Sequence, residues 1–266
     1  MAQNSLGNKS LNQITDFSVF CWNIANPSAQ RAGKQAEWLR KRPEHVLVLT
    51  EAKRSDGCSL LERYFQAYGY NVLFPKPDGN EYGVMIISKF PLKPSKFSDS
   101  VSFLTSRVVS AKLHLADSEL EIIGVYAPSR DASFEKTQKK KLFLTNLSET
   151  LQAHCVTEKR IFCGDLNILE PDHVPYYPFF EDWEYDFYRT VTKYGLADAF
   201  RYSNPGADEY SWVGRTGDGY RYDHCFISPD LIPALRKSYY LHEPRETKLS
   251  DHSALITILD INPIET

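Results

Sequence analysis

Short apolar runs that stop at a polar residue recur along this chain, and they predict most of its elements. Residues 17–24 read as a first strand rich in Phe, Val and Trp, with Asn23 near its end and a Pro27-Ser28 turn behind it. Residues 33–42 have helical character and stop before Pro43. Residues 46–50 form a continuous apolar run, the mark of a strand buried on both faces, and lead directly into Glu51. Ser59 can cap a helix in which Leu60, Leu61, Tyr64 and Phe65 follow helical spacing. Residues 70–74 and 82–88 predict two more strands.

Strict alternation is clearest over residues 107–115, where Val109, Ala111, Leu113 and Leu115 interleave with Ser110, Lys112 and His114, predicting one buried and one wet face. Residues 120–126 follow as its neighbour across a turn at 116–119, and Pro128 ends that strand. A long helix is predicted over 133–155, with Phe143, Leu147 and Leu151 on one stripe and Lys139, Lys140 and Lys141 read as a solvated face. Another strand is expected at 161–167, where an apolar run ends in Asp165 and Asn167, two residues apart and so on one face. Residues 170–186 pack six aromatic side chains between six carboxylates, a folded loop entering a helix stopped by Gly195. Residues 210–213, 220–228 and 253–261 are the last strand candidates.

The chain has 266 residues, 42% of them hydrophobic and 13% aromatic. That supports one sizeable core, and the absence of a Gly-, Pro- or Ser-rich linker predicts a loose tail over 1–16 and a single domain over 17–266. No apolar run approaches the roughly 20 residues needed to span a bilayer, so membrane insertion is not expected. The five cysteines are scattered, odd in number and without zinc-ligand spacing, as in reduced core residues of a cytoplasmic, intracellular protein. A net charge of −3 provides no global field for nucleic acid, so a polyanion must meet a local patch. Lys53, Arg54, Arg130 and Arg215 are available for one, while six carboxylates at 170–186 would repel DNA if they faced it.

The polar residues at the ends of these runs are Asn23, Glu51, Tyr126, Asp165 with Asn167, Asp223 with His224, and Asp251 with His252. Strand ends on one edge of packed sheets converge, and carboxylates with amides, a tyrosine and a histidine make a hard-oxygen site suited to Mg²⁺ or Mn²⁺. Such a set can clamp a phosphate and lower the pKa of a water. Read singly, each residue is as readily a turn, cap or hydrogen-bonding residue.

Read in order, Trp22-Asn23, the Thr50-to-Lys53 segment, residues 83–92, Tyr126 with Pro128, the Gly164-to-Asn167 segment, Tyr210 to Trp212, Arg221 to Asp223 and Ser250 to His252 resemble the endonuclease/exonuclease/phosphatase superfamily. Within it the chain is most similar to the exonuclease III-type apurinic/apyrimidinic endonucleases, over nearly its whole length. The resemblance implies a four-layer α/β sandwich of two mixed, largely antiparallel sheets flanked by helices. It implies Glu51 as the principal metal carboxylate with Asn23 and Asp251 near the cation, Asp165 orienting or deprotonating the attacking water, Asn167 on a phosphate oxygen and Tyr126 approaching the scissile phosphate. His252, positioned by Asp223, would stabilise the transition state, and Asp165 and His252 can exchange these roles. His224 is left as structural.

An abasic-sugar pocket near Trp212, Tyr220 and Tyr222 is also implied, and these aromatics can equally fill the sandwich end. Arg221 can contact phosphate or pair with a nearby acid. Thr50, Ala25 and Ser129 depart from the residues these nucleases usually carry. The leading reading is a divalent-metal-dependent DNA repair phosphodiesterase cutting 5′ to abasic sites, with 3′-exonuclease or 3′-phosphatase activity as a further expectation. DNA is its implied partner, and no obligate protein partner is indicated. A second reading gives the same metal site a nucleotide, RNA end or inositol phosphate, and a third makes the chain a non-catalytic binding protein.

Overall fold

The computed structural model describes residues 16–115, 118–154 and 159–262. Residues 1–15 of the expected tail, part of the 116–119 turn and Cys155 lie outside them. The helices are α1 (Ala29–Arg40), α2 (Asp56–Ala67), α3 (Lys96–Asp99), α4 (Phe134–Ala153), α5 (Asp182–Lys193), α6 (Ala199–Ser203) and α7 (Glu243–Glu246). The first seven strands are β1 (Phe17–Asn23), β2 (Val46–Lys53), β3 (Asn71–Leu73), β4 (Tyr82–Ser88), β5 (Lys93–Pro94), β6 (Val108–His114) and β7 (Glu119–Tyr126). The remainder are β8 (Lys159–Asp165), β9 (Ala197–Asp198), β10 (Trp212–Val213), β11 (Gly219–Tyr220), β12 (Asp223–Ile227), β13 (Leu235–Leu241) and β14 (Ala254–Leu259).

Two six-stranded sheets carry the fold, ordered β13-β14-β1-β2-β4-β3 and β5-β6-β7-β8-β12-β9. Each has a parallel pair near its centre, β1 with β2 and β7 with β8, in an otherwise antiparallel array. Period-2 alternation explains the layering. Val19, Cys21, Val48 and Ile86 of the first sheet meet Val109, Ile122, Cys163 and Cys225 of the second in one buried cluster. The opposite face of the first sheet, with Phe20, Trp22 and Leu49, packs on Ala32, Ala36, Leu61 and Phe65 of α1 and α2. That of the second, with Ile123, Phe162 and Phe226, packs on Phe143, Leu147 and Leu151 of α4 and on α5. The result is the four-layer sandwich that the resemblance implies.

Several local expectations shift. α1 starts at Ala29 because Ser28 caps it, its side chain accepting from Arg31 N at 3.3 Å. Ser55, not Ser59, caps α2, accepting from Cys58 N at 3.3 Å, and Ser59 lies inside the helix. The outer face of β6 is not wet throughout, since Ser110 is buried and hydrogen-bonded to Ser95 and to Ser98 N. Lys140 is buried as well, although its neighbours in sequence are not. No helix among the described residues is long and apolar enough to cross a membrane.

Candidate active site

The two sheets bring their polar strand ends to one cleft. In the second sheet Tyr126 lies opposite Asp165 and Asp165 opposite Asp223, so a tyrosine and two carboxylates form one row. Gly164 makes the close approach of β7 and β8 possible, since a Cβ there would lie 1.8 Å from Val125 O. In the first sheet Asn23 lies opposite Thr50, and the ladder from β2 to β4 slips between Leu49 and Ala52. Inside that irregularity Glu51 has φ 57°, a left-handed conformation that carries its side chain to the cleft. Asn167 adopts the same region, with φ 49°. Residues with a Cβ hold it at a cost of order 1 kcal/mol each, which marks sites where geometry outweighs local preference.

Asp165 is held from two sides. Asn23 Nδ2 donates to its Oδ2 at 2.8 Å and the backbone N–H of Asn167 donates to its Oδ1 at 2.9 Å. His252 Nδ1 lies 2.7 Å from Asp223 Oδ2. The imidazole is fixed further by its own backbone, which accepts from Trp22 Nε1 at 3.0 Å. Ser211 Oγ accepts from the N–H groups of Tyr222 and Asp223, at 3.0 and 3.1 Å, locking the segment that carries Asp223. Ligand atoms of Asp165, Asp223 and His252 all lie within 4.8 Å of one another.

Negative charge is crowded here. Burial, with the Asp223 carboxylate beside it, pushes Asp165 up to about 7. Burial likewise raises Glu51. Burial alone would depress His252, but Asp223 outweighs it and lifts the imidazole to about 9. Tyr126 is driven well above the usual phenol range by burial and by the charges of Glu51 and Asp165.

Asn23, Glu51, Tyr126, Asp165, Asn167 and His252 all line a cleft of about 270 Å³. Asp223 stands behind His252, fully buried. Asp251 is exposed on the outer rim, where its Oδ2 accepts from Trp212 Nε1 at 3.0 Å, and its charge reaches Glu51 and His252. Trp212 and Tyr222 form one wall of the cleft. Tyr220 does not line it. Its ring is stacked 4.4 Å from Tyr177 and 5.2 Å from Tyr222, so it backs the wall that Tyr222 forms.

Of the two readings of Arg221, phosphate contact or pairing with a nearby acid, the structure bears out the second. Its side chain has no exposed surface, and Nε and Nη2 donate to Glu170 at 2.9 and 2.7 Å while Nη2 also donates to Asp198 at 2.8 Å. Tyr222 occupies the cleft side, so the preceding residue turns inward, toward acids that neutralise it. His224, left as structural, is fully buried with Nε2 3.2 Å from Ile168 O.

Sequence reasoning missed Phe179, Phe180 and Lys140, which line the cleft beside Arg130, Phe180 continuing the aromatic wall at 6.2 Å from Tyr222. It also missed Arg107, which donates from Nη1 to Tyr126 O at 3.3 Å and lies 4.8 Å over that ring. The feared repulsion from the acidic loop is absent at Glu170 and Glu184, which turn inward onto arginines and Lys140.

Comparison with known proteins gives the family and the fold. The model of the Endonuclease/Exonuclease/phosphatase family matches residues 20–252. An exodeoxyribonuclease III from Haemophilus influenzae is 25% identical over 232 residues, covering 73% of this chain and 85% of the relative. Among solved structures, an AP endonuclease from Archaeoglobus fulgidus superimposes with a TM-score of 0.76 at 23% identity, covering 92% of this chain and all of that one. A 3′–5′ exonuclease from Neisseria meningitidis gives 0.77 at 22% identity, covering 92% of this chain and all of that one. A 3′ phosphatase from Neisseria bound to a product DNA hairpin gives 0.74 at 23%, covering 92% and 99%.

Proposed function

Because this chain belongs to the endonuclease/exonuclease/phosphatase family and is a phosphoric ester hydrolase, we propose that it is a Mg²⁺-dependent DNA phosphodiesterase that cuts 5′ to abasic sites and trims 3′ ends. The observation that carries this reading is the meeting, in one cleft, of the His252–Asp223 pair with an Asp165 carboxyl held by Asn23 and the Asn167 backbone. The DNA-acting names of the similar proteins support the choice of substrate.

The donor set fits a hard cation. Glu51 is a largely enclosed carboxylate raised by burial and without an ion-pair partner among the described residues, and Asn23 lies beside it in the cleft. Glu51 and Asn23 would hold Mg²⁺ or Mn²⁺, with Asp251 adding negative charge from the rim. Bound there, the cation supplies charge to offset that developing on the phosphate oxygens.

The chain's own groups do the rest. Asp165, poised near neutral, orients the attacking water and accepts its proton at Oδ1 or Oδ2. His252, kept cationic by Asp223, faces negative charge as it builds. Asn167 and Tyr126 fix phosphate oxygens. Trp212 and Tyr222 offer flat apolar faces to a sugar without its base.

The test is cleavage of a duplex bearing one abasic site, in Mg²⁺ and in EDTA, beside recessed DNA, RNA and a small phosphodiester. Nicking lost in Glu51→Ala and His252→Ala is the expected result. Hydrolysis of only the small diester, with no DNA binding, would replace this reading.

A further inference from the structure

One buried carboxylate outside the catalytic cluster joins four segments of the cleft wall. Glu184, in the first turn of α5, has no exposed surface. Its Oε1 accepts from Lys140 Nζ of α4 at 2.5 Å, and its Oε2 accepts from Arg130 at 3.1 Å (Nε) and 2.6 Å (Nη2). Both cations reach onward. Lys140 Nζ donates to Asn167 O at 2.5 Å, while Arg130 Nη2 donates to Phe179 O at 2.6 Å and its guanidinium lies 4.3 Å over the Phe179 ring.

The charges do not balance. Arg130 and Lys140, with side chains only 4% and 1% exposed, share the single enclosed carboxylate of Glu184. Glu181, 3.4 Å from Arg130, has a side chain 54% exposed and is therefore screened by water. Enclosed charge is unfavourable unless opposed, so within its own hydrogen-bonded cluster this wall carries a positive surplus, which only the through-space charge of Asp165 at Lys140 offsets. Both cations line the same cleft as Glu51 and Asp165. Among the described residues Arg130 Nη1 makes no hydrogen bond, so one edge of the fork is held by protein and the other is available.

We propose that Arg130 binds a non-scissile phosphate of the DNA strand seated in the cleft, and that Glu184 and Lys140 act as positioning residues for it. This rests on the DNA phosphodiesterase reading above. A guanidinium whose inner edge is already fixed by a carboxylate loses little freedom on meeting a ligand, and its planar fork matches phosphate oxygens. The phosphate supplies the negative charge that the wall lacks. Through Lys140 the same cluster reaches the backbone of Asn167, so seating the flanking phosphate and presenting Asn167 depend on one buried carboxylate.

The test reads binding rather than turnover. A fluorescein-labelled duplex with a tetrahydrofuran abasic analogue is titrated in EDTA over a salt series, with a neutral methylphosphonate placed at each phosphate near the site in turn. In the wild-type protein one non-scissile position should weaken binding about tenfold, the worth of one charge-assisted hydrogen bond. In Arg130→Gln that penalty should vanish at that position alone, and the slope of log K against log salt should fall by about one. Arg130→Lys keeps the charge and should keep the slope while losing part of the affinity, which decides the matter if the glutamine variant does not fold.

Persistence of every methylphosphonate penalty in Arg130→Gln overturns the proposal. So does a uniform loss with an unchanged salt slope, which would make Arg130 only a pin for Phe179. Hydrolysis of the same duplexes in Mg²⁺ reports separately on the phosphodiesterase reading: binding that depends on Arg130 without cleavage sinks that reading alone, and cleavage insensitive to Arg130 sinks this inference alone.

Discussion

Two buried charge clusters stand two residues apart in sequence, at Arg221 and at Asp223, and they have opposite characters. Around Arg221, two arginines face two carboxylates. Glu170 accepts from Arg201 and Arg221, and Asp198 accepts from Arg221 and from Tyr188 Oη at 2.9 Å. Burial would raise both acids, but Arg201 and Arg221 at Glu170, and Arg221 with His224 at Asp198, overcome it and hold both below the usual carboxylate range. Around Asp223, carboxylates outnumber cations. Asp165 and Glu51 are raised, Asp223 Oδ1 has no hydrogen-bond partner among the described residues, and Glu51 stands in a left-handed backbone conformation. The matched cluster opposes its buried charges, although Arg221 Nη1 has no hydrogen-bond partner among the described residues, whereas the unmatched one stores repulsion that a cation can relieve.

The comparison is broken most directly by neutralising its crowded half. Asp165→Asn should lower kcat by on the order of a thousandfold, while stability against urea is unchanged or improved because a repulsive buried charge is gone. A large loss of stability would show that Asp165 belongs with the matched kind. Arg221→Met is the reciprocal change. It should destabilise the fold by roughly 3–5 kcal/mol in urea unfolding, since Glu170 and Asp198 lose their shared partner, with turnover per folded molecule within about twofold of wild type.

Acid should act on the matched cluster next. Glu170 and Asp198 have folded pKa values below their unfolded ones, so their contribution is fully present above about pH 4 to 5 and is lost as pH falls through the folded values. The urea midpoint should therefore drop below that range, and Asp198→Asn should flatten the drop. The smallest effect is expected where the two clusters touch. Tyr240 Oη donates to Asp223 O at 2.6 Å, and Tyr240→Phe should cost about 1 kcal/mol with kcat nearly unaffected.

Much of this was legible beforehand wherever a residue's role follows from its own strand. Asn23, Tyr126 and Asp165 each end an apolar run and Asp223 begins one on the antiparallel neighbour β12, so strand pairing with sheet packing sends them to one edge. Roles that depend on a distant partner were not legible. Lys140 lies in a run of three lysines, and only Glu184, 44 residues away, brings it inside. β13 was missed because Leu235–Leu241 mixes Arg, Lys and Ser with its apolar residues, and its pairing with β14 supplies what its pattern lacks.

The sequence by itself determined most of the strands and the row of polar strand ends, because strand periodicity and the burial of apolar faces are local instructions that packing obeys, while the four-layer sandwich was legible only through the resemblance to a known family. The tertiary structure alone decided which charges are opposed. Charge balance in an enclosed site is a sum over neighbours from several segments, so only the fold decided that Arg221 pairs with Glu170 and Asp198, and that Glu184 draws both Lys140 and Arg130 into one cluster at the cleft.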